Sequence, residues 1–216
     1  MHTGKILVGN SGDKVYLQDN LVIKEAGHYP EKFKQQMEWL LNCNHPNFIK
    51  INPISDISYE MDKHPTWFDK ICTQKVSTSL LQLERLLSII DNFDKYGRDV
   101  DTQSYLEKLQ LRTGYTYEGN VDAISCWGFV HGDLTISNIL HNEDFIFIDP
   151  RGTEEQDYYD YGKLMQSFTM KYESHIYNNR NVNYLNFCKE AEKLMYENYD
   201  EYQLKFFLAV HLLGAV

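Results

Sequence analysis

Three side chains in the run from Phe129 to Gly152, FVHGDLTISNILHNEDFIFIDPRG, have the types and spacing to do chemistry together: Asp133, Asn138 and Asp149. Gly132 permits a tight backbone just before Asp133, so this carboxylate is presented on a loop and not within a periodic element. Asn138 follows five residues on, ahead of Ile139-Leu140, a polar turn at 142–144 and the apolar run 145–148 that Asp149 closes. That pattern predicts a β-hairpin with polar groups at both mouths. Folding the hairpin would make Asn138 and Asp149 neighbours. An amide oxygen beside a carboxylate suits Mg²⁺, which takes oxygen ligands and keeps waters and phosphates around it.

His131-Gly132-Asp133 followed by Asn138 resembles the HGDxxxxN catalytic loop of the aminoglycoside phosphotransferase and choline kinase family, relatives of the protein kinases, whose loop reads HRDxxxxN. Asp149-Pro150-Arg151-Gly152 stands where protein kinases have DFG, and only the aspartate is carried over. The resemblance implies an α+β, protein-kinase-like two-lobed fold, with a small antiparallel β-sheet N-lobe and a mainly helical C-lobe. It also implies Mg²⁺-dependent transfer of the γ-phosphoryl group of ATP, or of GTP in its place, to a hydroxyl of a small molecule such as a sugar, an aminoglycoside or a choline-like compound. Asp133 would be the catalytic base, and Asn138 and Asp149 the metal ligands. The Asp-Pro-Arg-Gly run and a later Tyr-Asp-x-x-Lys-Leu look similar to family members associated with sugars and surface polysaccharides. Two other readings stay open. One is a nucleotide-binding pseudoenzyme without turnover; the other is a protein kinase, disfavoured because HGD replaces HRD and no A-P-E string follows Asp149.

The elements that must position these groups can be read upstream. Residues 5–8, 14–17 and 21–24 read as three short strands separated by turn-forming residues, and the strand-rich segment 1–61 is expected to form the nucleotide-binding lobe. In the family resemblance, the first turn, with Ser11 and Gly12, covers the nucleotide phosphates. Lys24 ends the apolar strand Leu21-Val22-Ile23 in the V-A-I-K manner, which would let it reach the α- and β-phosphates. Pro30 opens a helix with Phe33, Met37, Leu40 and Leu41 on one face. The carboxylate partner of Lys24 is expected on this helix: Glu38 is the obvious residue, while counting from the apolar face places Gln36 there instead. After Pro53, residues 56–61 read as a strand into a hinge at 62–65, where the backbone of Glu60 and Met61 would pair with an adenine edge.

Residues 62–216 are expected to form the helical lobe carrying the catalytic loop and substrate site. Leu80, Leu83, Leu87 and Ile90 mark an amphipathic helix with Ser77, Thr78 or Ser79 as its N-cap. The segment 95–122 is polar and rich in Gly and Tyr. Asp157-Tyr158-Tyr159-Asp160-Tyr161-Gly162-Lys163-Leu164 resembles the family's D-x-x-Y-D-L-A-K-L, and the resemblance gives Asp160 the task of anchoring the catalytic-loop backbone. Tyr184, Phe187, Cys188, Ala191, Leu194 and Met195 make a further helix face, and a last helix is expected over 204–216.

Composition bounds the partners. With 216 residues, 43% of them hydrophobic, the chain is long enough for a sizeable core. A formal net charge of -10 argues against a nucleic-acid surface, which needs clustered Lys and Arg, and favours a small neutral or cationic substrate. The four cysteines have no metal-ligand spacing, which fits reduced thiols in a cytoplasm. No apolar run is long enough to span a bilayer, so no membrane role is expected.

Overall fold

The structure, a computed structural model of the chain, describes residues 5–8, 12–93, 102–114, 116, 131–151 and 157–213. Ser11, Cys126 and the lead-in at 129–130 lie outside the described residues. The chain divides into two compact units: residues 1–65 with 140–152, and residues 66–139 with 153–216.

The first unit is built on a five-stranded antiparallel sheet in the order β1-β2-β3-β5-β4, comprising β1 (Lys5–Val8), β2 (Lys14–Leu17), β3 (Leu21–Glu25), β4 (Ile51–Ser55) and β5 (Ser58–Asp62). The first three strands fall where the turn residues predict them, to within one residue. Helix α1 (Pro30–Asn42) opens with proline in its first turn, and Phe33, Met37 and Leu40 are buried along one face. Leu41 is 49% exposed and so does not belong to that face. Phe33 stacks on Tyr59 of β5, with ring centroids 5.3 Å apart, which fastens the helix to the sheet.

The predicted hairpin forms, as β6 (Ile139–His141) and β7 (Phe145–Phe147), and most of it belongs to the first unit. Backbone bonds explain this: Phe147 N–H donates to the Asn47 carbonyl at 2.7 Å, Ile49 N–H to the Phe147 carbonyl at 3.0 Å, and His141 N–H to the Pro65 carbonyl at 3.0 Å. A single cut after residue 61 separates Asn47 and Ile49 from Phe147, whose bonds to them join segments about a hundred residues apart.

The second unit is helical. It contains α2 (Trp67–Thr73), α3 (Val76–Asp91), α4 (Thr102–Thr113), a 3-10 turn (Ile136–Asn138), α5 (Asp157–Met170), α6 (Tyr172–Ile176), α7 (Val182–Asn198) and α8 (Glu201–Leu213). Helix α3 begins at Val76 after Lys75 without a side-chain cap, so none of the three predicted hydroxyls caps it. The Ser79 hydroxyl instead accepts from Gln74 at 2.9 Å. Helices α2 and α4 carry only short apolar stripes, Trp67, Phe68 and Ile71 in α2 and Tyr105, Leu106 and Leu109 in α4, and the sequence reading does not place them. Thr66 caps α2 by accepting the Asp69 N–H, and Tyr105 of α4 packs edge-on to Phe207 of α8. Leu164, Met165, Phe168, Tyr184, Phe187, Cys188, Ala191 and Met195 are wholly buried, as the helical spacing predicts. Among the described residues no helix is long and apolar enough to cross a membrane.

Candidate active site

In the first unit the site is organised by one buried lysine. Lys24 sits on β3 between Val15 of β2 and Tyr59 of β5 and is 6% exposed. A buried ammonium is stable only when paired and hydrogen-bonded. Its Nζ lies 2.7 Å from Asp149 Oδ1, 3.7 Å from Asp13 Oδ2 and 3.5 Å from Gln36 Oε1. Asp149, just past β7, has φ +57°, a left-handed conformation uncommon outside glycine. Gln36 Nε2 donates to the following carbonyl, Pro150, at 2.7 Å and so supports that bend.

The helical partner of Lys24 is therefore Gln36 and not Glu38. Gln36 stands three residues after Phe33 and four before Leu40, on the face that packs inward. Glu38 is exposed on the other side of α1, where its backbone carbonyl accepts from the Asn42 side chain. Gln36→Glu would put a third carboxylate beside a single lysine and turn it against the Pro150 carbonyl. The expected result is a loss of about 1–3 kcal/mol in urea unfolding. Unchanged stability would show that the bend at Asp149 does not depend on the amide.

Glu60 and Met61 also need correction. Both lie inside the sheet, paired with Ile23 and Val22 on β3 and with Asn52 and Ile51 on β4. A strand with ladders on both sides has no backbone edge left for a base. Lys63 N–H is likewise used, on the Asn20 carbonyl at 2.9 Å, so among the described residues His64 is the first beyond β5 whose backbone makes no such bond. Gly12, the described member of the first turn, has φ +78°, and a Cβ there would fall 2.4 Å from the His28 ring. Only glycine fits.

In the second unit the loop 131–138 is held by helix α5. Asp160, fully buried, accepts His131 N–H at 2.6 Å on Oδ2 and Gly132 N–H at 2.8 Å on Oδ1, which is the anchoring expected of it. Gly132 has φ +80°. One turn along α5, Lys163 Nζ lies 2.9 Å from Asp133 Oδ1. Burial pushes the Asp133 carboxyl up, but Lys163, with smaller contributions from His131 and His211, more than offsets this and leaves it below the usual range. Asp133 is thus a carboxylate at neutral pH. Asn138 turns its Nδ2 toward the Asp133 carbonyl at 2.8 Å and toward Asp133 Oδ2 at 3.3 Å. This leaves Asn138 Oδ1 with no donor among the described residues.

The turn that carries Asn138 is fastened from below. Ser167, again on α5, accepts Ile136 N–H at 3.2 Å and donates to Glu173 Oε1 at 2.9 Å. Glu173, wholly buried, also accepts Ser137 N–H at 3.2 Å and the Tyr184 hydroxyl at 2.6 Å, and burial raises its carboxyl above the usual range. Lys163, Ser167, Glu173 and Asp13 were not singled out from the sequence as site residues. A polar stripe at 160, 163 and 167 within an apolar helix was the available signal for two of them.

No protein-family model matches the chain. No curated protein sequence matches it. Solved structures do. A choline/ethanolamine kinase family protein from Mesorhizobium loti superposes with a TM-score of 0.54 at 11% identity, covering 98% of this chain and 76% of that one. A fructosamine-3-kinase candidate from Thermobifida fusca gives 0.52 at 13% identity, over 98% and 88%. The streptomycin-ATP-APH(2")-IIa ternary complex gives 0.51 at 12% identity, over 98% and 90%. The chain therefore has the α+β, protein-kinase-like fold shared by these structures.

Proposed function

We propose that this chain is a phosphotransferase that moves the γ-phosphoryl group of ATP, or of GTP, to a hydroxyl of a small molecule. The observation that carries the reading is the Lys163–Asp133–Asn138 arrangement: an ionised carboxylate on a loop gripped by Asp160, with an amide oxygen left over for a cation. Asp133 would orient the acceptor hydroxyl and take its proton, and Lys24 would face the nucleotide phosphates. Asn138 and Asp149 would hold Mg²⁺, which supplies charge neutralisation at the phosphates. Each donor is by itself of the kind that ion takes: Asn138 Oδ1 is a hard oxygen with no donor among the described residues, and the Asp149 carboxylate is 31% exposed beyond its bond to Lys24. The neighbouring structures, with choline/ethanolamine, fructosamine and streptomycin in their descriptions, favour a hydroxyl-bearing sugar, aminoglycoside or choline-like acceptor, and the Asp-Pro-Arg-Gly run is compatible with a polysaccharide-related one.

A thermal-shift screen of ATP and GTP with and without Mg²⁺, followed by nucleotide consumption in a panel of sugars, aminoglycosides and choline, tests the proposal. Asp149→Asn is expected to remove most of the Mg²⁺-dependent part of nucleotide binding. Identical Mg²⁺ dependence in that variant would overturn the metal assignment. Gln36 at the position of the family's glutamate favours a second reading, a nucleotide-binding protein without turnover; nucleotide-induced stabilisation with no consumption for any acceptor would be its result.

A further inference from the structure

Lys24 has a problem that Asp149 does not solve. If Asp149 serves as a metal ligand, its charge is shared with the cation, and a lysine 6% exposed is left facing the uncharged amide of Gln36. We infer that Asp13, on the turn between β1 and β2, is the standing anionic partner of Lys24, in place of a carboxylate on α1. The inference rests on the phosphotransferase reading for its purpose, though not for the contact itself.

Four observations carry it. First, Asp13 is itself 9% exposed and its carboxylate is divided between two tasks: Oδ1 accepts Gly27 N–H at 2.8 Å, and Oδ2 faces Lys24 Nζ at 3.7 Å. Second, the backbone around it packs closely. A Cβ on Gly27 would lie 2.2 Å from the Gly12 carbonyl carbon, so the two glycines are pressed together and fix where Asp13 starts. Third, Gln36 is committed elsewhere, its Nε2 donating to the Pro150 carbonyl at 2.7 Å, which a glutamate could not do. Fourth, Tyr59, opposite Lys24 in the sheet, is wholly buried and offers the lysine a phenol, not a carboxylate. Asp13 thus ties the position of the lysine to the turn that the resemblance places over the phosphates. In the usual kinase arrangement the same lysine is tied to a helix.

The test separates charge from shape. Asp13→Asn keeps an oxygen for Gly27 N–H and removes only the charge, while Asp13→Glu keeps the charge. Each is made in an Asp149→Asn background, where asparagine tolerates the left-handed backbone, and Lys24 is labelled with trace acetic anhydride and read by mass spectrometry without nucleotide. Asp13→Asn is expected to raise Lys24 labelling about fivefold, because an ammonium that has lost its buried counter-charge leaves its niche for solvent; Asp13→Glu should return it toward the parent. Labelling equal in all three proteins would overturn the pairing. In the otherwise unmutated chain, Asp13→Asn should weaken Mg²⁺-ATP binding about tenfold by calorimetry, and Asp13→Glu should restore most of it. The two ideas fail separately. Flat labelling overturns the role of Asp13 whatever the nucleotide result, and absence of nucleotide binding by the unmutated protein overturns the phosphotransferase reading whatever the labelling.

Discussion

Asp133→Asn is expected to lower turnover about 10²- to 10⁴-fold, the range that a positioned proton acceptor contributes, while nucleotide affinity changes little. Asparagine is the same size, keeps one acceptor oxygen for either Lys163 or Asn138 Nδ2, and leaves the backbone bonds of His131 and Gly132 to Asp160 untouched. What it removes is the charge. The Asp133 side chain is 46% exposed, so its ion pair with Lys163 is solvent-screened and adds at most about 1 kcal/mol to stability. A large kinetic loss with an almost unchanged melting temperature therefore isolates the chemistry from the fold. Single-turnover measurement with saturating nucleotide and acceptor decides it. Full activity in this variant would remove Asp133 from the mechanism and leave the loop with a structural role alone.

The second large effect is expected at a residue that touches no substrate. Asp160 is fully buried, and each of its oxygens takes one backbone N–H of the loop 131–138, at 2.6 and 2.8 Å. Asp160→Asn keeps one oxygen and turns an NH₂ toward the other N–H, so a buried donor faces a donor. The loss of one charge-assisted bond and the orphaned N–H together cost about 2–4 kcal/mol. In a chain of this length that is a fall in melting temperature of roughly 5–15 °C. Activity should fall further than stability does. The loop places Asp133, and a misplacement of about 1 Å at a reacting group can cost about 10²-fold. The deciding measurement is kcat at a temperature where the variant is still folded by circular dichroism. A normal kcat there would mean that Lys163 and the Ser167–Glu173 network hold the loop without Asp160.

These two residues were legible in the sequence for different reasons. Asp133 stands out because a carboxylate after His-Gly in a non-periodic run belongs to no helix or strand face, and the same local logic located the first three strands and the faces of α5 and α7. Asp160 was legible only through a resemblance, since its two partners are 28 and 29 residues away. The misassignments share a cause. Glu38 is the more obvious partner for a lysine by charge, but the packing of Phe33, Met37 and Leu40 rotates it to solvent and brings Gln36 inward. Glu60 and Met61 read as a strand end facing a hinge, and the pairing of β5 with both β3 and β4 closes that edge. Helices α2 and α4 escaped notice because each buries only a short stripe, Trp67, Phe68 and Ile71 in one and Tyr105, Leu106 and Leu109 in the other, set among polar residues.

By itself the sequence determined the chemical inventory and its local presentation: which carboxylates and amides sit on loops, which glycines allow the backbone to turn, and where the first three strands and the faces of α5 and α7 run. These follow from residue type and short-range spacing, where sterics and periodicity act. Only the tertiary structure decided who faces whom. Lys24 meets Asp149 across 125 residues of chain, Asp13 joins them from a turn, and Lys163 meets Asp133 from a helix thirty residues on. The energy of a charge pair depends on distance and burial in three dimensions, and neither quantity is a property of any one segment.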